Sequence, residues 1–152
     1  MALQLGDKIP AFSAKDSLGN HFDSRSIVGQ KPVVFYFYPK DNTPGCTAQA
    51  CSFRDQYEDF KDLGAEVIGI SSDSIASHEK FSKQHQLPFI LLSDNEKKIR
   101  KLFGVKPSLF GLIPGRVTYV VDSNGIIQLI FDSLAATNHI PKALETIKKI
   151  VS

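Results

Sequence analysis

The chain has 152 residues, 42% of them hydrophobic and 22% charged, with 18 Lys and Arg against 16 Asp and Glu for a formal net charge of +2. A globular chain of that size and composition can bury a full core as one domain, without the disulfide staples of small secreted folds. The charge balance offers no basic field for nucleic acid, and no apolar run approaches the ~20 residues of a membrane-spanning helix.

The elements follow in chain order from residue periodicity. Phe12 to Phe22, around Leu18-Gly19-Asn20, is expected to form a small hairpin. Val33-Val34-Phe35-Tyr36-Phe37-Tyr38 is a β-branched and aromatic run, apolar on both faces, which predicts a central strand covered on both sides and ended by Pro39. From about Gly45 to Leu63 a helix is expected, because Ala50, Phe53, Tyr57 and Phe60 recur at helical steps after Cys46. Ala65 to Ser71 reads as a second buried strand, and Ser74 to His85 as a helix with Ile75 and Phe81 inward. A short strand at Phe89 to Leu92 precedes a short helix from Glu96 to Phe103, stopped by Gly104. Val117 to Val121 and Ile126 to Phe131 flank Asp122-Ser123-Asn124-Gly125, a strong hairpin signal. A last helix runs from about Ile140 to Val151, with Leu144, Ile147 and Val151 on one face. A βαβ unit followed by a ββα unit predicts an α/β fold of the thioredoxin-like kind, a three-layer sandwich with a mixed central sheet flanked by helices. With no repeat, low-complexity tract or linker, residues 1–152 are expected to form a single domain.

Cys46 and Cys51 are the only cysteines. On a helical wheel Ala50, Phe53, Tyr57 and Phe60 lie within about 40° of Cys46, whereas Cys51 lies about 140° away. Cys46 therefore shares the inward face. Cys51 stands on a polar stripe with Arg54, Asp55, Glu58 and Asp62, where a cysteine serving as core filler does not belong. Helical positions five apart separate their Cα atoms by roughly 8–9 Å, and a disulfide wants about 4.4–6.8 Å. The two sulfurs can meet only if the first turns of the helix melt. A helix N-terminus favours a thiolate at Cys46, and a guanidinium beside it would favour it further. Arg116, at the start of a predicted central strand, can face such a helix end.

Each of these residues alone has a plainer reading. Two cysteines in isolation are often inert, Thr43 reads as a turn or cap residue, Pro39 as a strand terminator and Arg116 as a surface charge. Zinc needs more ligands, and His21, His78, His85 and His139 show no paired spacing, so each histidine reads as a surface residue. The combination carries the case.

Pro39-x-x-x-Thr43-x-x-Cys46 is similar to the peroxiredoxin active-site signature. The fuller pattern, from Phe37-Tyr38-Pro39 through Thr43-Pro44-Gly45-Cys46-Thr47 to Cys51 and Phe53-Arg54-Asp55, resembles the peroxiredoxin Q group, also called bacterioferritin comigratory protein. Gly64 to Ser71, Leu87-Pro88-Phe89 with Leu92-Ser93-Asp94, and Pro114-Gly115-Arg116 extend the resemblance over nearly the whole chain. Phe110-Gly111-Leu112-Ile113 looks more like the plant and cyanobacterial members.

The resemblance implies a thiol-dependent peroxidase acting on hydrogen peroxide and organic hydroperoxides in antioxidant defence. It implies that Cys46 is the peroxidatic cysteine and Cys51 the resolving one, joined after turnover in an intramolecular disulfide. Thr43 and Arg116 would bind the thiolate and the peroxide, and Pro39 would shield them from water. The partner would be thioredoxin or a related dithiol; no cofactor or metal is needed, and a monomer is expected. No signal peptide is visible, so the implied location is a bacterial or cyanobacterial cytoplasm, or a plastid where a transit peptide has been removed. The stretch from Pro107 to Pro114 either lines the pocket mouth, receives the reductant, or packs as a loop on its own domain. Two other functions keep a place: a thioredoxin-class thiol–disulfide oxidoreductase, whose usual C-x-x-C spacing is not met here, and a redox sensor or holdase switched by the same cysteine pair.

Overall fold

A computed structural model of the protein describes residues 2–105 and 115–151. Among the described residues seven strands form one mixed sheet, β1 (Ser13–Asp16), β2 (His21–Asp23), β3 (Val33–Phe37), β4 (Glu66–Ser71), β5 (Ile90–Ser93), β6 (Val117–Val121) and β7 (Ile127–Asp132), in the order β2-β1-β5-β4-β3-β6-β7. The helices are α1 (Pro44–Asp62), α2 (Ile75–His85), α3 (Lys98–Phe103) and α4 (His139–Val151). The stretch from Pro107 to Pro114 lies outside the described residues, and with it the expectation of a pocket mouth there.

The continuous apolarity of β3 is explained by its place. It pairs parallel with β4 and antiparallel with β6, and Val33 through Phe37 are fully buried. Strand side chains alternate between faces. Val34, Tyr36 and Tyr38 therefore meet α1, α2 and α4 through Phe53, Phe60, Phe81, Ile140 and Ile147. Phe35 and Phe37 meet α3 and the N-terminal segment through Ile99, Phe103, Ile9, Phe12 and Phe22. Phe103 is the hub of that second layer, with ring centroids 5.1 Å from Phe37, 4.9 Å from Tyr119 and 5.7 Å from Phe12. Burying one such side chain contributes about 1.5–3 kcal/mol. The expected three-layer sandwich is the observed one.

Gly69 in β4 lacks a side chain for a packing reason. A Cβ there would stand 2.8 Å from both Tyr36 and Leu91. Helix α3 starts two residues later than the apolar pattern suggests. Lys97 takes a left-handed conformation (φ 60°), and the helix is capped from a distance by Asp94, whose carboxylate accepts from the N–H groups of Ile99 and Arg100 at 2.9 Å each.

Two histidines correct the expectation of surface residues: His78 and His139 are 0% exposed. Their partners come from other elements, which no local pattern reveals. His78 Nε2 faces the Leu92 carbonyl at 2.9 Å. His139 Nε2 donates to the Ser133 carbonyl at 2.7 Å, and its Nδ1 lies 2.8 Å from the Thr118 hydroxyl, a pairing that suits the neutral ring.

Candidate active site

Cys46 is the third residue of α1 and is 1% exposed. It is buried because it shares a helix face with Ala50, Phe53 and Phe60, the stripe that packs on the sheet. Pro44 opens the helix at a position where its missing N–H costs nothing. Thr43 occupies the N-cap position in an extended conformation, yet its hydroxyl donates backwards to the Lys40 carbonyl at 2.9 Å and does not cap α1. The first N–H groups of α1 are thus left without a side-chain acceptor, a state that favours an anion beside them.

Arg116 stands at the entrance to β6, which lies next to β3, and is 5% exposed. Its Nη2 donates to Cys46 Sγ at 3.3 Å, and its Nη1 donates to Gln49 Oε1. The fork of one guanidinium thus holds two side chains one turn apart on α1. Gly45 makes room for it, since a Cβ there would come within 3.1 Å of Nη2. Among the described residues, Gln49 Nε2 and Arg116 Nε have no hydrogen-bond partner, which leaves spare donors in a buried site.

The floor of the site is aromatic. Tyr36 stacks on Phe53 with centroids 4.6 Å apart and on Tyr38 at 5.4 Å. Burial pushes the Tyr36 phenol well above the usual tyrosine range, and the nearby Cys46 and Asp41 add to this. Tyr36 therefore stays neutral beside the sulfur.

The structure brings Cys46 and Arg116 into contact. Thr43 and Pro39 flank them in the loop that enters α1, with Pro39 half-buried and Thr43 bonded to Lys40. Cys51 is half-buried and held apart by a continuous helix, with both cysteines free. Its neighbour Arg54 is tied down by Asp55 at 3.0 Å and by the His85 carbonyl at 2.8 Å.

Arg100, on α3, braces the site from behind. Its Nη2 donates to the Tyr38 carbonyl at 3.1 Å and its Nη1 to the Gly115 carbonyl at 3.0 Å. Those carbonyls immediately precede Pro39 and Arg116. The guanidinium also sits 5.6 Å from the Phe37 ring centroid. Burial lowers its pKa from the ordinary arginine value, and the charge of Asp94 opposes the shift.

Known proteins resemble the chain in both sequence and fold. Residues 5–130 match the AhpC/TSA family. Chloroplastic peroxiredoxin Q of Sedum lineare is 50% identical over 146 residues, covering 95% of this chain and 78% of the relative. The chain belongs to the AhpC/TSA family, in its peroxiredoxin Q group. It is a thiol-dependent peroxidase, and the readings as a thioredoxin-class oxidoreductase or a redox sensor are not favoured. Among solved structures, peroxidoxin BcpB of Mycobacterium tuberculosis superposes with a TM-score of 0.88 at 34% identity, over 99% of both chains. The bacterioferritin comigratory protein of Xanthomonas campestris, described for its alkyl peroxide reduction, gives 0.86 at 26% identity, over 96% of this chain and 100% of that one.

For this peroxiredoxin, sequence reasoning passed over three features of the site. Gln49 carried a usable signal, a polar residue three positions after Cys46 on the inward face. Arg100 carried little, because its partners are main-chain carbonyls far along the chain. Asp41 and His78, a buried pair beneath the loop, carried none.

Proposed function

We propose that Cys46 attacks the terminal oxygen of a hydroperoxide as a thiolate. The O–O bond breaks, Cys46 becomes a sulfenic acid, and the other oxygen leaves as alkoxide or hydroxide and takes up a proton. Arg116 stabilises the anionic sulfur and the charge spreading onto the departing oxygen. The Thr43 hydroxyl, whose O–H is donated to the Lys40 carbonyl, keeps lone pairs to accept from the peroxide O–H. Pro39 limits water at the sulfur. Cys51 then condenses with the sulfenic acid, releasing water and forming an intramolecular disulfide. Because α1 spaces the two residues too widely for a disulfide, its first turns unwind in this step. A thioredoxin-type dithiol reduces the disulfide and restores the helix.

The observation that carries this reading is the 3.3 Å contact from Arg116 Nη2 to Cys46 Sγ. All named groups lie on one chain, so one domain and a monomer suffice for the cycle. The chloroplastic plant relatives favour a plastid over a bacterial or cyanobacterial cytoplasm for the source compartment. The experiment is a coupled assay with thioredoxin and its reductase over hydrogen peroxide and several organic hydroperoxides. Turnover by the wild type that is lost in Cys46→Ser supports the assignment, and full turnover by that variant overturns it.

A further inference from the structure

The loop between β3 and α1 makes a tight excursion that the peroxidase chemistry does not by itself explain. Asn42 takes a left-handed backbone conformation (φ 63°), which persists only where the surroundings fix it. What fixes it is a buried polar network under the loop. Asp41 is 5% exposed, yet its carboxylate is fully engaged. Its Oδ1 accepts from the Tyr38 hydroxyl at 2.6 Å. Its Oδ2 accepts from the Ser77 hydroxyl at 2.8 Å and lies 2.7 Å from His78 Nδ1. The Asp41 N–H donates to Asp73 Oδ2 at 2.8 Å, and that oxygen also accepts from Ser71 at 2.6 Å. His78 is 0% exposed, and both of its ring nitrogens face acceptors, the Asp41 carboxylate and the Leu92 carbonyl.

Asp41, Asp73 and His78 place their ligand-type atoms within 4.8 Å of one another. The cluster is not built as a cation site, because His78 Nδ1, both Asp41 oxygens and Asp73 Oδ2 are already taken by protein groups. Its connections run to the first turn of α2 through Ser77 and His78, to the end of β4 through Ser71, and to β5 through Leu92. None of these elements lies between Cys46 and Cys51.

We propose that the buried Asp41–His78 pair is a latch that positions the 39–43 loop and sets the upstream limit of the unwinding that joins Cys46 to Cys51. This rests on the disulfide cycle proposed above. On the downstream side Phe53 and Phe60 hold α1 to the sheet. Between those anchors the turns from 44 to about 51 can melt, while Pro39, Thr43 and the loop keep their places. The peroxide-binding half of the site thus survives each cycle and need not be rebuilt when the disulfide is reduced. Asp41 and His78 touch neither sulfur nor substrate and act as positioning residues.

The test combines residue-resolved amide exchange with the rate of the peroxide step. In the wild type, the Asp41 N–H is expected to stay protected in both the reduced and disulfide forms, while amides near Ala50 and Cys51 lose protection on oxidation. His78→Leu is expected to speed exchange at Asp41 about tenfold and to slow Cys46 oxidation by peroxide about tenfold, a smaller effect than the roughly hundredfold that a 1 Å misplacement of a binding group can cost. His78→Asn keeps an amide N–H near the Nδ1 position and is expected to recover most of both losses, which a general packing defect would not. Where His78→Leu fails to fold because the buried Asp41 loses its histidine partner, Asp41→Asn carries the same expectations. Loss of Asp41 protection in the oxidised wild type overturns the proposal. So does a folded His78→Leu or Asp41→Asn protein with wild-type exchange and wild-type oxidation rate. Exchange in the reduced form needs no peroxide, so failure of the latch is distinguishable from failure of the disulfide cycle.

Discussion

Arg116 Nη2 donates to Cys46 Sγ at 3.3 Å across 70 residues of sequence, and the same guanidinium reaches Gln49 through Nη1. One planar cation thereby fixes the sulfur and the next turn of its helix. Removing a preorganised donor at a reacting centre typically costs about 10²–10³ in rate. We expect Arg116→Met to slow Cys46 oxidation by about that factor and Arg116→Lys by less. A lysine keeps the charge but cannot fork between two acceptors. Stopped-flow oxidation of Cys46 by peroxide checks this, and an unchanged rate in Arg116→Met would contradict the role.

Gly45→Ala separates activity from stability. The new Cβ would press on Arg116 Nη2 from 3.1 Å, so that the guanidinium must shift by a few tenths of an ångström beside the sulfur. In the helix itself alanine is favourable by about 0.4–1 kcal/mol. We expect a thermal midpoint equal to or above that of the wild type, with peroxide oxidation slowed about tenfold, as expected for a misplaced catalytic group. A variant that is less stable but equally fast would contradict the packing argument.

Arg100 should matter to both shoulders of the site. Arg100→Leu leaves the Tyr38 and Gly115 carbonyls without their donors. A buried polar group left unpaired costs about 1–3 kcal/mol. Urea unfolding should show a loss of about 2–6 kcal/mol for the pair, with Arg100→Lys intermediate. A loss below about 0.5 kcal/mol, the usual range for surface changes, would show that the bridge is not structural.

His139 gives a pH signature. Burial holds its pKa below the ordinary histidine value, and the nearby Arg116 charge lowers it further, while the bond to the Ser133 carbonyl and the charge of Asp132 oppose the shift. Above about pH 6.5 neither state binds the proton, so the group leaves stability flat. Below that the unfolded chain binds a proton that folded His139 refuses. Stability then falls, by up to about 1.4 kcal/mol per pH unit, until the lowered folded value is reached. Chemical denaturation at pH 7.5 and 5.5 should show this fall, and His139→Asn should reduce it. An identical fall in the variant would remove His139 as its source.

The sheet was legible because β3 is central and its run from Val33 to Phe37 had to be apolar on both faces. The face of α1 that carries Cys46 was legible from the spacing of Ala50, Phe53 and Phe60. Arg116 was legible from its place at the start of a predicted strand and from its motif, but its approach to Cys46 depends on β6 lying beside β3. Asp41, His78 and Arg100 were invisible for one physical reason. Each is a buried polar group that takes partners from distant segments, and its cost of burial is offset by contacts that no local periodicity encodes.

The most direct measurement is peptide mass spectrometry after one equivalent of hydrogen peroxide, on the wild type and on Cys51→Ser in the presence of a sulfenic-acid trap. We expect an intramolecular Cys46–Cys51 disulfide in the wild type, and a trapped sulfenic acid on Cys46 alone in the variant. Oxidation that falls first on Cys51, or a wild type in which Cys46 forms no disulfide with Cys51, would contradict the central claim.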